Sequence, residues 1–232
     1  MNIDLSKPNL LPNDFVVALR AIKDLCKKYT FSEKLVEHKD VLPLVRSLDN
    51  FCMNGSIIGY HFTRAIKENI EKNGLLIRSG DEIRNGFICE NGYLFTDKEQ
   101  RFLQERWSRY FTPGQNNARD NKIFFNFTSS ALRDGGAENL LGLYGGEQVG
   151  MCFEMGHPIG EKLANIGQPL VIRCALKPKE LNTFIEYPWG KILVSSFHKT
   201  INSEAYIIDQ DGYQFVPVSP NNIVDIAVLE VY

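Results

Sequence analysis

The hydrophobic positions of the chain follow helical spacing in some segments and strand spacing in others. Residues 14–50 place apolar side chains three and four positions apart, which is typical of amphipathic helices. The aromatic run SIIGYHF, from Ser56, predicts a buried strand. The following TRAIKENIEKNGLLI predicts a helix that stops at Asn73-Gly74. The pattern therefore changes from helical to mixed at about residue 56.

Short apolar runs continue to the end of the chain. They predict strands at GYLFT (92–96), KIFFNFT (122–128), VGMCFEM (149–155), PLVIRCAL (169–176), KILVSS (191–196), EAYIID (204–209) and NIVDIAVLEVY (222–232). Between them, DKEQRFLQERWSRY (97–110) and SALRDGGAENLLGLYGG (130–146) predict helices. Many short strands with a few early and central helices indicate an α+β fold, because a doubly wound parallel sheet requires strands and helices to alternate.

Composition and charge remove several classes of protein. Lys and Arg number 26 against 28 Asp and Glu, a formal net charge of −2, which argues against a strongly cationic nucleic-acid coat. The five cysteines are odd in number and lack C-x-x-C spacing, so buried reduced thiols are expected and no metal site is indicated. The start of the chain lacks a signal-peptide pattern, and no apolar run approaches the roughly 18 residues of a membrane helix. We therefore expect a cytoplasmic protein, or one delivered into a target cell's cytoplasm, with no membrane partner.

Three segments contain residue types suited to chemistry. The first is Gly59-Tyr60-His61-Phe62-Thr63-Arg64, where a histidine ends an aromatic strand and a helix follows. The second is the aromatic strand from Phe124 to Ser130, which ends in three hydroxyl residues. The third is Asn202-Ser203-Glu204-Ala205-Tyr206-Ile207-Ile208, where a glutamate is expected to open an apolar strand. Taken singly, each has an ordinary explanation as a core histidine, a buried strand or a solvated strand end.

In this order, the three segments resemble the ADP-ribosyltransferase superfamily, in its histidine-first branch. Tyr60-His61-Phe62-Thr63, then a helix and Asn73-Gly74-Leu75, is similar to the opening of DarT-type toxins and RNA 2′-phosphotransferases. Glu204 to Asp209 is similar to the closing strands of poly-ADP-ribose polymerases. Either 92–96 or 123–128 is expected to supply the middle motif. The resemblance implies a split, mixed or antiparallel sheet over residues 56–232 with peripheral helices, preceded by an N-terminal helical extension at 1–55.

The resemblance also implies roles for individual residues. Glu204 would stabilise the positive charge that develops on ribose when the nicotinamide bond of NAD breaks, as in glycoside hydrolysis. His61, with Glu204 the other implied catalytic residue, would hold the adenosine-side ribose. One of Tyr93, Phe125 and Tyr144 would stack on the cationic nicotinamide, and Arg64, Arg78 or Arg84 would grip the pyrophosphate. The implied NAD-binding residues are His61, Phe62, Thr63, Arg64, Tyr93, Phe125, Ser129, Ser130 and Tyr144.

The chain departs from this family at several positions. Many members have glycine immediately after the histidine, whereas here it is Phe62. Leu94 stands where the polymerases have tyrosine, if 92–96 is the middle motif. Arginine-first toxins use two glutamates one residue apart, whereas this chain has Asn202-Ser203-Glu204, which argues against that branch.

The expected function is an NAD-dependent mono-ADP-ribosyltransferase, as a toxin, effector or anti-phage defence enzyme, with an antitoxin or regulatory protein as a possible partner. NAD is the co-substrate, no metal is expected, and the acceptor is either a nucleic-acid base or a protein side chain. The alternatives are an NAD hydrolase, an NAD-using RNA 2′-phosphotransferase, and a non-catalytic binding module on the same fold. The run from Arg101 to Phe111 suits single-stranded nucleic acid, although an amphipathic helix with buried rings is the favoured interpretation.

Overall fold

The computed structural model describes residues 1–133 and 135–230. Within these residues there are twelve α-helices and a mostly antiparallel, open sheet of seven strands, which confirms the α+β class. The C-terminal strand prediction, 222–232, is confirmed over Ile223–Val228, and its last two residues lie outside the described residues.

The first half of the chain contains most of the helices. Its elements are β1 (Asn2–Ile3), α1 (Asn13–Ala21), α2 (Lys23–Lys28), α3 (Ser32–Val36), α4 (Leu42–Cys52), β2 (Ser56–Ala65), α5 (Lys67–Asn73), α6 (Gly80–Asn91), α7 (Asp97–Tyr110) and α8 (Pro113–Arg119). The predicted helix after the first long strand is therefore present as α5. It ends at Gly74, whose φ of 73° lies in the region that glycine tolerates best.

The second half of the chain contains most of the strands. Its elements are β3 (Ile123–Asn126), α9 (Glu138–Gly142), α10 (Gly146–Val149), α11 (Pro158–Ala164), β4 (Gln168–Leu176), β5 (Leu181–Thr183), α12 (Pro188–Ile201), β6 (Asp211–Gln214) and β7 (Ile223–Val228). The strand order is β5-β6-β3-β2-β4-β7, and β1 pairs with β2 in parallel. Tyr60 of β2 lies opposite Asn126 of β3 in an antiparallel pair.

The chain forms two compact units. The first consists of Met1–Tyr60, Phe124–Ser129 and Cys174–Tyr213. The second consists of His61–Ile123, Ser130–Arg173 and the residues from Gln214 onward. The N-terminal helices share the first unit with later segments. The division predicted at residue 55 stays a prediction.

The first unit is built around α12, which packs against α2, α3 and α4. Trp189 and Ile192 of α12 are buried, and Gly190 allows a close approach to α4. A Cβ atom at position 190 would lie 1.9 Å from the carbonyl oxygen of Val45. The buried carboxylate of Asp49, on α4, accepts hydrogen bonds from the backbone amides of Trp189 and Gly190 at 3.0 and 3.3 Å. Asp49 therefore satisfies amides at the start of α12 that the helix itself leaves without a partner.

The second unit has its own aromatic core, to which α6, α7, α10 and α11 contribute. Phe87, Trp107 and Leu163 lie in this cluster, together with Val149. The indole Nε1 of Trp107 donates to the Val149 carbonyl at 3.0 Å. The helix predicted at 97–110 is confirmed as α7, and the burial of Trp107 and Phe111 confirms the amphipathic interpretation of the run from Arg101.

Four strand predictions are wrong. Residues 92–96 form a 3-10 turn, Gly92–Leu94, followed by Thr96, which caps α7. Residues 149–155 run from the end of α10 into turns, and 204–209 form a turn followed by an isolated bridge at Tyr206. Residues 191–196 lie inside α12. In each case a short apolar run signalled burial, which does not distinguish a strand from a buried helix or turn.

The helix predicted at 130–146 is also wrong as a single element. Ser130–Leu132 form a 3-10 turn, Asp134 lies outside the described residues, and α9 occupies only Glu138–Gly142. Gly145 and Gly146 have φ values of 70° and 47° at the position where α10 begins. These glycines disfavour a continuous helix because they adopt left-handed backbone conformations.

Candidate functional site

Residues His61 to Arg64 occupy the part of β2 that belongs to the second unit. Phe62 is buried, whereas His61 and Thr63 are half-buried. Successive side chains of a strand point to opposite faces, so His61 and Thr63 share one face and Phe62 and Arg64 share the other. Phe62 therefore contributes to the core.

Arg64 is committed to backbone groups of the second unit. Its Nε donates to the carbonyl of Leu141 and its Nη1 to that of Gly167, each at 3.0 Å. The carbonyl of Arg64 accepts a hydrogen bond from Gly145 at 2.9 Å. Burial lowers the pKa of this guanidinium. These bonds hold α9 and the turn at Gly167 against β2, so Nε and Nη1 of Arg64 have a positioning role.

Tyr144 lies next to the same strand segment, where it forms a parallel bridge with Arg64. Its ring packs against Phe87 at a centroid distance of 5.4 Å. Burial raises the pKa of its hydroxyl, and the charge of Glu90 raises it further, while a hydrogen bond with Asn91 and the charge of Arg78 lower it. Tyr144 is therefore a fixed aromatic ring beside the predicted NAD-binding strand.

The turn after Tyr144 lies close to Thr63, another residue predicted to bind NAD. A Cβ atom at Gly146 would lie 3.9 Å from Oγ1 of Thr63. The second unit thus brings together Thr63, Arg64 and Tyr144.

The other two aromatic candidates have different surroundings. Tyr93, in the 3-10 turn before α7, is 82% exposed. Phe125, on β3, is 2% exposed and belongs to the core of the first unit. Of the two segments considered for the middle motif, only the one containing Phe125 is a strand among the described residues.

The arginine candidates also separate into two classes. Arg84 is buried, with its guanidinium 4.1 Å from the centre of the Phe111 ring. It donates to Asp81 at 2.7 Å and to the side-chain oxygen of Gln148 at 3.1 Å. Arg78 is exposed. Arg78 is therefore the candidate whose side chain is accessible to an anionic ligand.

The remaining predicted residues are divided between the two units: Glu204 and Ser129 belong to the first and Ser130 to the second. Glu204 belongs to the first unit and lies in an exposed turn after α12, so the prediction that it opens a strand is wrong. Its carboxylate accepts a hydrogen bond from the hydroxyl of Ser203 at 3.3 Å. The amide of Ser129, in the first unit, donates to Oγ of Ser6 at 3.2 Å. Ser130 begins a 3-10 turn of the second unit. The roles of these residues stay predictions.

Sequence reasoning did not identify a polar pair in the first unit. Nδ2 of Asn126, on β3, donates to Oδ1 of Asp211, on β6, at 2.7 Å. Burial and the nearby charge of Asp209 raise the pKa of Asp211, while the bond from Asn126 lowers it. The only indication of this pair in the sequence was Asn126, a polar residue among the phenylalanines of β3.

Four cysteines are buried and Cys89 is exposed, so the expectation of buried thiols is wrong for Cys89. Burial raises the pKa of Cys26 and Cys152 to about 11, and that of Cys52 and Cys174 to about 12. Within residues 1–133 and 135–230, no cluster of three or more histidine, cysteine or acidic side chains is arranged to hold a metal ion.

A cleft of about 300 Å³ lies in the second unit between α5 and β7. Lys67 and Glu71 line one side, and Ile223, Asp225 and neighbouring residues line the other. The predicted site residues are not among those lining it.

Comparison of the chain with protein-family models, with curated proteins and with solved structures finds no match. In the part of the chain that the structure describes, no helix has the length and apolar character needed to span a membrane.

Proposed function

We propose that this protein is an NAD-dependent mono-ADP-ribosyltransferase whose second unit holds the nicotinamide end of NAD. The observation that carries the proposal is the pairing of Tyr144 with the strand that contains His61 and Thr63. The resemblance implies that an aromatic ring and residues of this strand both contact NAD, and Tyr144 and His61 belong to the same compact unit. A tyrosine face attracts the cationic nicotinamide ring by about 0.5–2 kcal/mol.

The charges around Tyr144 are compatible with a dinucleotide. Arg78 is exposed and its positive charge acts on the Tyr144 hydroxyl. Arginine suits phosphate because its planar guanidinium donates two parallel hydrogen bonds. We therefore assign pyrophosphate binding to Arg78 in preference to Arg64 and Arg84, whose guanidinium groups already bond within the protein.

The reaction breaks the bond between ribose C1′ and nicotinamide, which leaves with the bonding electrons. A nucleophile on the acceptor then forms a bond to C1′ and loses its proton. Positive charge develops on the ribose in between, and a carboxylate stabilises it. Glu204 is the predicted carboxylate, and its exposed turn leaves it accessible to solvent and to an acceptor.

The proposal is tested by incubating the protein with NAD labelled in the adenine ring and with candidate acceptors. We expect a covalent adduct on a nucleic acid or a protein and release of one nicotinamide per adduct. Free ADP-ribose without an adduct would indicate NAD hydrolysis, and loss of a 2′-phosphate from RNA would indicate the phosphotransferase. If neither nicotinamide release nor phosphate removal occurs, the protein is a binding module and the proposal is wrong.

Binding of NAD is measured separately on variants of the aromatic residue. Tyr144→Phe keeps the ring, and we expect its dissociation constant for NAD to stay within about threefold of the unmodified protein. Tyr144→Ala removes the ring and is expected to weaken binding by about 3- to 30-fold. Phe102→Ala is the control, because Phe102 is a partly exposed aromatic residue of the same unit that is not among the predicted NAD-binding residues. If Tyr144→Ala binds NAD as tightly as Tyr144→Phe, Tyr144 does not stack on the nicotinamide.

A further inference from the structure

Two aromatic rings of the first unit form a stack on the protein surface. The centroids of Phe31 and Tyr206 lie 5.0 Å apart and the ring planes differ by 14°. Phe31 is 46% exposed and Tyr206 is 64% exposed. Nearly parallel rings at this distance stabilise each other, and Tyr206 still presents most of its surface to solvent.

The backbone holds this stack in place. The amide of Ser32 donates to the carbonyl of Tyr206 at 2.9 Å, and the amide of Tyr206 donates to the carbonyl of Thr30 at 2.8 Å. Ala205, immediately before Tyr206, is buried. Both rings therefore project from anchored backbone, so a ligand that stacks on them does not have to order a mobile loop.

Several lysines lie on the segments that carry the two rings. Nζ of Lys34 lies 5.7 Å from the centre of the Phe31 ring, and Nζ of Lys199 donates to the carbonyl of Ala205 at 3.0 Å. Lys27 and Lys28 are exposed at the end of α2. Segments 23–34 and 199–206 together contain five lysines and three acidic residues, although the whole chain has a net charge of −2.

The three acidic residues of these segments neutralise only part of the positive charge of the five lysines. Asp24 pairs with Lys27 at 3.3 Å. Glu33 and Glu204 are exposed. The two segments therefore carry a net charge of +2, which favours binding of a polyanion.

We propose that the surface formed by Phe31, Tyr206 and Lys34 binds single-stranded nucleic acid. A base stacks on the exposed face of Tyr206 and extends the existing pair of rings, while Lys34 and the neighbouring lysines meet the phosphates. A protein partner fits this surface less well, because stable protein interfaces bury a broad apolar area, whereas here two rings are bordered by lysines. A duplex fits poorly because its bases are already stacked on each other.

The acceptor class follows if the proposed function is correct. Glu204 precedes Tyr206 by two residues and is exposed in the same turn region. A single strand bound at this surface would then supply the acceptor base. This assignment of the acceptor rests on the proposed function, whereas the binding surface does not.

Fluorescence anisotropy with a labelled 12-nucleotide oligoadenylate, in the absence of NAD, tests the binding surface. Tyr206→Ala is expected to raise the dissociation constant by about 5- to 100-fold, the range that loss of one base–aromatic stack produces. Tyr206→Phe keeps the ring and should stay within about twofold of the unmodified protein. Phe184→Ala is the matched control, since Phe184 is another exposed ring of the first unit and should leave binding unchanged.

A second variant tests the charges without changing the rings. Lys34→Gln should reduce the slope of log K against log salt by about 0.7, the value for one phosphate contact on a single strand. The inference is overturned if the unmodified protein fails to bind the oligonucleotide at 50 mM salt, or if Tyr206→Ala binds as tightly as Tyr206→Phe. Equal affinity for the matching duplex would also overturn it. Nicotinamide release from NAD is measured independently, so binding without NAD turnover would disprove the proposed function and leave this surface intact.

Discussion

Replacing Gly190 by alanine tests the packing of α12 on α4 most sharply. An added Cβ atom would lie 1.9 Å from the carbonyl oxygen of Val45, 2.8 Å from its carbonyl carbon and 3.1 Å from the amide nitrogen of Asp49. All three are backbone atoms, so no flexible side chain can move aside. A carbon and an oxygen normally stay more than about 3.2 Å apart, so the two helices must separate by more than about 1 Å.

The expected loss of stability follows from that separation. Overpacking a core costs about 1–3 kcal/mol and sometimes more, and here the shift also loosens the packing of Trp189 and disturbs the bonds from Asp49. We expect Gly190→Ala to lower the free energy of unfolding by about 3 kcal/mol or more. This loss exceeds the roughly 1 kcal/mol that alanine gains over glycine inside a helix.

Gly86→Ala is the matched control because it makes the same change inside α6, where an added Cβ atom meets nothing within 4 Å. It should raise the free energy of unfolding by about 0.5–1 kcal/mol. Urea unfolding followed by circular dichroism at 25 °C measures both variants, with the midpoint and slope fitted together. If Gly190→Ala lies within 1 kcal/mol of Gly86→Ala, the described contact between α4 and α12 is incorrect.

Two further predictions concern ionisable groups. Hydrogen bonds from Lys162 and Thr96 lower the pKa of Glu99 to about 2, so its contribution to stability is present above about pH 4.5 and is lost as the pH falls towards 2. Glu99→Gln should therefore reduce the fall in melting temperature between pH 5 and pH 2.5, and an unchanged fall would contradict this role. Cys89 is the exposed thiol, so a disulfide reagent should modify one thiol rapidly in the folded protein, and Cys89→Ser should abolish that phase. Rapid modification that persists in Cys89→Ser would show that a cysteine described as buried is accessible.

Several elements could be predicted because the residues that determine them lie within the element or next to it in the sequence. The apolar run SIIGYHF predicted a strand from Ser56, which β2 confirms and extends to Ala65. The helix at 97–110 has one apolar face, and Asn73-Gly74 ends α5 through a glycine at positive φ. The residues at the start of α7 favour a helix and not the strand predicted at 92–96. Thr96 and Glu99 form a capping box, with both reciprocal hydrogen bonds present.

Other elements could not be predicted because their environment is set by distant residues. The part of α12 around Ile192 to Ser195 is buried on successive positions, so its sequence lacks the polar face that reveals a surface helix. Arg64 was a reasonable phosphate ligand by residue type. Its actual partners, the carbonyls of Leu141 and Gly167, lie 77 and 103 positions away and could not be inferred from spacing.

A single-turnover measurement of nicotinamide release decides whether the protein uses NAD. The unmodified protein, Glu204→Gln and Glu204→Asp are each mixed in excess over NAD, and NAD binding is measured in parallel. We expect Glu204→Gln to lower the rate by about 100-fold or more while the dissociation constant for NAD changes by less than about threefold. Release of nicotinamide at the same rate by Glu204→Gln and the unmodified protein, or no release by either, would contradict it.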